Sequence, residues 1–114
     1  MSAYVMAHVH ATNFGQEIID YLRNVDATMR PYGGRFLVHG GPVDTVEGTW
    51  SGDLIIIEFP DLDAARGWYA SPAYLEIRHL RTDNTTADTI MFDGLPAGYT
   101  AKSALEHALS ATAG

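Results

Sequence analysis

Chemistry in this chain begins with its histidines. His8-Val9-His10 sets two imidazoles on one side of an extended segment, about 7 Å apart along the chain. Such a pair can ligate zinc or iron when a third donor joins it, and His39, Glu58 or Asp88 are the candidate donors. Nothing in the spacing brings them near, and two polar residues at a strand end account for the pair equally well, so no metal site is assigned. His39 stands directly before Gly40-Gly41-Pro42. A histidine there can move a proton as a general acid or base at a pocket mouth; the alternative is an edge-strand histidine at a subunit seam. Glu58 follows the aliphatic run Leu54-Ile55-Ile56-Ile57. If buried, it has a raised pKa or requires a cation, for which Arg35 and Arg78 are available, and then a buried ion pair is as good a reading as catalysis. Glu47-Gly48-x-Trp50 is loop sequence: a carboxylate beside an indole that either lines a pocket or forms a turn with a rim anchor. Tyr74 and Arg78 are one helical turn apart and can present a phenol and a guanidinium on one face. The candidate proton-transfer groups are therefore His39, Glu58 and Tyr74. The candidate ligand-positioning groups are Arg78, Glu47 and Trp50.

Regular elements must hold these groups. Tyr4 to His10 alternates as a strand, with Tyr4, Met6, His8 and His10 on one face and Val5, Ala7 and Val9 on the other. Asn13 with Gln16 resembles a capping box, and Phe14, Ile18, Tyr21, Leu22, Val25 and Met29 continue at helical spacing to about Arg30. Pro31 and Gly33-Gly34 end that helix. Arg35 to His39 is a second strand, and residues 43–53 form a long connection. Leu54 to Phe59 reads as a central strand covered on both faces. Asp61 caps a second helix, which Ser71-Pro72 restarts. Thr86 to Phe92 is the fourth strand.

The order β-α-β-β-α-β is the ferredoxin-like motif of the α+β class, a four-stranded antiparallel sheet with two helices on one face. Its other face is apolar and must be buried somewhere; a second copy, with the two sheets closing into a shared barrel, is the economical solution. The expected organisation is one domain over residues 1–94 and an extension over 95–114, in which Ser103 to Leu109 forms a short helix or is disordered.

Composition narrows the function. The 114 residues are 46% apolar, enough for one core, and a domain this small gains from a partner subunit. With no cysteine, disulfides, thiolate metal sites and thiol nucleophiles are excluded. The formal net charge of −7, without a basic cluster, disfavours nucleic acid and anionic membranes. No apolar run is long enough to span a bilayer and the N-terminus carries no signal-like pattern, so a cytoplasmic protein is expected. Neither glycine pair has phosphate-loop or dinucleotide form, and no nucleophile elbow occurs. No cofactor is assigned.

The block Tyr32-Gly33-Gly34-Arg35-Phe36-Leu37-Val38-His39-Gly40-Gly41-Pro42, followed by Glu47-Gly48-x-Trp50, Glu58-Phe59-Pro60 and Ser71-Pro72-x-Tyr74, resembles the family known as domain of unknown function 1330. The resemblance spans roughly residues 3 to 94. It implies a homodimer of the dimeric α/β-barrel superfamily, and it carries the recurring serine-proline-x-tyrosine and later arginine onto Ser71, Pro72, Tyr74 and Arg78. The family commonly has arginine where His39 stands, so a titratable group replaces a permanent cation. Related barrels are similar to small monooxygenases, lactone isomerases and polyketide-modifying enzymes. The resulting expectation is a cofactor-independent acid/base enzyme, of isomerase, cyclase or monooxygenase type, acting on a small apolar or aromatic molecule held between sheet and helices. The alternatives are a non-catalytic ligand-binding dimer and a purely structural homodimer.

Overall fold

The computed structural model describes the backbone of residues 1–113 and the side chains of residues 1–111. Its elements are β1 (Ala3–Thr12), α1 (Gln16–Met29), a 3-10 turn (Arg30–Tyr32), β2 (Arg35–His39), β3 (Asp53–Phe59), α2 (Leu62–Tyr69), α3 (Pro72–Thr82), β4 (Thr85–Asp93) and α4 (Ala101–Ala113). The four strands make one antiparallel sheet in the order β2-β3-β1-β4. This is the expected ferredoxin-like α+β arrangement.

Register sorts the side chains. Val5 and Ala7 of β1 lie opposite Ile57 and Ile55 of β3 and opposite Met91 and Thr89 of β4. Facing residues in register share a side of the sheet. This side meets the helices: Val5, Ile57 and Phe59 pack with Tyr21, Val25 and Met29 of α1 and with Trp68 and Tyr74 of the following helices. Each large side chain buried there contributes about 1.5–3 kcal/mol relative to exposure. On the other side, Tyr4, Met6 and His8 lie opposite Glu58, Ile56 and Leu54, and opposite Phe92, Ile90 and Asp88. That face is apolar yet open in the single chain, with Ile90 51% and Phe92 39% exposed. β3 was expected to be covered on both faces, but Leu54 and Ile56 are only half-buried because no helix lies over them.

The start of α1 differs from the sequence expectation. Asn13 does not cap it; β1 continues to Thr12, and the Asn13 amide donates to the Asn84 carbonyl at 2.7 Å, extending the pairing with the segment before β4. Gly15 precedes the first helical turn without a side-chain cap, and Phe14 is left outside the helix and exposed. Inside α1 most of the expected stripe holds, with Ile18, Tyr21, Val25 and Met29 buried, while Leu22 is exposed. Gly33 ends the 3-10 turn with φ 71°, a left-handed conformation that favours glycine.

Ser71 divides the second helical segment. Its hydroxyl donates to the Trp68 carbonyl at 2.7 Å and accepts from the Tyr74 amide at 3.3 Å, so one buried serine closes α2 and caps α3. The bend sets the Trp68 and Tyr74 rings 4.1 Å apart. In the C-terminal extension the helix is longer than expected, Ala101–Ala113, with Leu105 and Leu109 exposed; Gly114 lies outside the described residues. No helix among the described residues is long and apolar enough to cross a membrane.

Ser71→Ala removes the cap and is expected to destabilise the protein by about 1–2 kcal/mol in urea unfolding. Gly15→Ala should shift the same transition by less than about 0.5 kcal/mol, since a Cβ there meets no atom within 4 Å.

Candidate functional site

The helix side of the sheet encloses a recess with two chambers. The inner chamber, about 40 Å³, is walled by Val5, Ala7, Ile55 and Ile57 from the sheet and by Trp68 and Tyr74 from the helices. The outer chamber, about 240 Å³, opens between the ends of β1 and α1, among Val9, Phe14, Ile18 and Leu22. Tyr21, His39, Ile55 and Arg81 line both, so the chambers are successive parts of one recess. The inner one has room for a few water molecules and the outer one for a small organic molecule.

Three polar groups meet at the junction. Tyr21 from α1 and Tyr74 from α3 are both buried, and their hydroxyl oxygens are 2.8 Å apart. Arg81, two helical turns beyond Tyr74, donates from Nε to the Tyr74 oxygen at 3.3 Å. Burial, and after it the neighbouring Tyr74 phenol and its hydrogen bond, push the Tyr21 pKa far above the usual tyrosine range, although Arg81 pulls the other way. Burial works against the charge of Arg81, but the phenol oxygens of Tyr74, Tyr21 and Tyr69 outweigh it and the guanidinium is held above its ordinary pKa. The junction is thus a permanent cation beside two buried phenols, inside mostly apolar walls.

Of the residues proposed from sequence, His39 and Tyr74 come together at this recess. His39 pairs with Ile55 on the helix side of the sheet and stacks on Phe36 with ring centroids 4.3 Å apart. The other four lie elsewhere. Glu58 is on the open face, where it binds Arg35, one of its two expected cations, through Nε at 3.0 Å and Nη2 at 2.9 Å. Alternation along β3 explains this, because Ile57 faces the helices and its successor cannot. Arg78 lies over the Tyr69 ring, 5.1 Å from its centroid, rather than pairing with Glu58. Trp50 stacks on His8 at 4.1 Å, which associates it with the open face, and Glu47 is an exposed loop residue.

The histidine pair is also on the open face. His8 Nε2 donates to the Ser51 carbonyl at 2.7 Å, while His10 Nε2 lies 2.8 Å from Asp88 Oδ2. His39 faces the opposite side and Glu58 is held by Arg35, so neither joins them. Among the described residues no group of three histidine, cysteine, aspartate or glutamate side chains is arranged to hold a metal ion.

Sequence reasoning assigned Tyr21 to the core and passed over Arg81. A signal existed: Tyr74, Ile77, Arg78 and Arg81 follow the i, i+3, i+4, i+7 spacing of one helix face, with Arg81 directed between Tyr74 and Ile77 and Arg78 at the edge beyond Tyr74. Tyr21 carries no comparable mark, since an aromatic residue in the buried stripe of α1 reads as packing.

Solved structures with this fold include RPA0582 from Rhodopseudomonas palustris, a protein of unknown function, at 16% identity over 83% of each chain with a TM-score of 0.64. A ferredoxin-like protein of unknown function from Jannaschia sp. CCS1, described as dimeric, matches at 8% identity over 82% of this chain and 100% of that one, TM-score 0.55. A variant of SnoaB, a cofactor-independent oxygenase from Streptomyces nogalater, matches at 15% identity over 87% and 98% of the chains, TM-score 0.57. At these identities the likeness is one of fold. No curated protein matches the chain. The model of the domain of unknown function DUF1330 matches residues 2–95, most of the chain, and the chain belongs to that family.

Proposed function

We propose that this protein is a homodimer that binds a small, mainly apolar or aromatic molecule in the recess between sheet and helices and carries out cofactor-independent proton transfer on it. The observation that carries this reading is the cluster of Tyr21, Tyr74 and Arg81 at the junction of two chambers whose walls are otherwise largely apolar. A few convergent polar groups in an apolar recess are the usual make-up of a small-molecule site. His39, at the edge where the recess opens, serves as the general acid or base. Tyr74, charge-assisted by Arg81, donates to an oxygen of the bound molecule. Arg78 supports the aromatic wall through Tyr69. The fold neighbour SnoaB is described as a cofactor-independent oxygenase, which is in keeping with chemistry that needs no bound group.

The open face supports the dimer. Tyr4, Met6, Leu54, Ile56, Ile90 and Phe92 form a sheet surface too apolar to be left in water, and two fold neighbours are described as dimeric. Glu58 with Arg35, and Trp50 with His8, then belong to the subunit contact or its rim, and Glu47 to the surface loop beside it. The domain over residues 1–94 forms the barrel half. The extension carrying α4 lies outside it.

Phenylacetamide, a neutral aromatic probe, is expected to quench the fluorescence of Trp68 in a Trp50→Phe background, and isothermal titration should give a dissociation constant below millimolar. A flat titration with phenylacetamide and with its carboxylate analogue phenylacetate would overturn the cavity reading. Once a converted compound is found, His39→Ala should lower kcat about 100-fold or more with the probe affinity kept; unchanged turnover would show that His39 is not the acid or base.

Ile90→Glu sets a charge on the open face without disturbing the monomer core, and analytical ultracentrifugation should read a monomer. A dimer that persists in this variant would sink the face-to-face assembly.

Tyr21 supplies a pH dependence. Its pKa is raised in the folded state, so its contribution to stability is complete below the unfolded value of about 10 and falls as pH rises above that value. Urea midpoints of the native protein should therefore drop between pH 8 and pH 11 more than those of Tyr21→Phe. Equal slopes would show that the phenol ionises without penalty.

A further inference from the structure

We infer that the molecule this recess accepts carries a carboxylate, and that Arg81 binds it. The inference rests on the small-molecule reading above and adds the charge of the ligand.

Arg81 is partly buried, lines both chambers, and has no carboxylate partner among the described residues. The arginines that are ion-paired among the described residues, Arg35 and Arg66, lie on the surface with acidic neighbours. The phenol oxygens around it stabilise its charge without supplying a counter-ion, and a ligand anion would fill that role. Of its donors, Nε is used by Tyr74, and no buried side-chain polar atom among the described residues lacks a partner. The remaining N–H groups are therefore not sealed off without a partner, and Arg81 is a wall of both chambers.

The phenols add to the match. Tyr21 and Tyr74 have two hydroxyl protons and share one hydrogen bond. Whichever oxygen accepts, the other proton is left over for a third group. Since Tyr74 already accepts from Arg81, the junction offers N–H and O–H donors to one point. It asks for an acceptor with several lone pairs, and a planar carboxylate suits the guanidinium edge.

The main opposing charge is Asp53, which lines the outer chamber and is exposed. Its repulsion is screened by water, whereas Arg81 acts in a partly enclosed site, so the nearer cation prevails. The surrounding walls, Val9, Phe14, Ile18 and Leu22, favour an aromatic or alicyclic body on that carboxylate.

The test is isothermal titration of the full-length protein with phenylacetate and phenylacetamide, which share shape and differ in charge. Phenylacetate is expected to bind about tenfold or more tightly, the ratio for one charge-assisted hydrogen bond. In Arg81→Met, which keeps the apolar stem, the ratio should fall to near one with amide affinity within a few-fold of the native value. Arg81→Lys, which keeps the charge, should retain part of the preference and guards against a general loss of folding in Arg81→Met. If both probes bind equally to the native protein, the carboxylate inference fails while the cavity reading stands. If the preference survives in Arg81→Met, Arg81 is not the anchor and the inference fails. If neither probe binds, both are overturned.

Discussion

Strand β1 is hydrogen-bonded on both edges, to β3 and to β4, and the period of two along it fixes what every other residue of the sheet can do. Val5, Ala7 and Val9 commit one side to the helices. Through the cross-strand pairs, Ile55, Ile57 and His39 follow them, and Tyr4, Met6, His8, Ile56 and Glu58 are sent to the other side. A slip of one residue would exchange these sets, exposing the core and burying the histidines. The recess and the open face are therefore two results of a single register.

The recess depends in turn on how α1 and α3 close over that sheet. Two buried phenols in an apolar layer each need a partner, and the Tyr21–Tyr74 hydrogen bond supplies both at once. The Ser71 cap aims α3 so that Tyr74 can reach, and Thr28 ties α1 to α2 by accepting from the Trp68 indole at 3.0 Å. The polar contacts that hold the layers together are thus the ones that line the cavity, which joins stability to the chemistry the site can offer.

Six side chains were singled out from sequence, and their fates follow from geometry. His39 and Tyr74 meet because a strand residue facing the helices and the buried stripe of α3 converge on one space. Glu58 had the right chemistry but the wrong parity in β3. Arg78 and Arg81 lie about 60° apart around α3, on either side of the Tyr74 direction, and that difference decides which guanidinium enters the recess. Trp50 and Glu47 lie in a glycine-punctuated loop, where no periodicity states a direction.

Local rules sufficed for the strand and helix order, the ferredoxin-like α+β class, the split at Ser71-Pro72 and the family, because periodicity, caps and turns are encoded over neighbouring residues. The capping of α1 was misread since β1 gains more by continuing its pairing through Asn13 than by stopping for a cap. The pairing of Tyr21 with Tyr74, 53 residues apart, and the choice of Arg35 over Arg78 for Glu58 were decided only by the tertiary structure. Such contacts depend on strand register and on helix rotation about its axis, and neither is a property of any short segment.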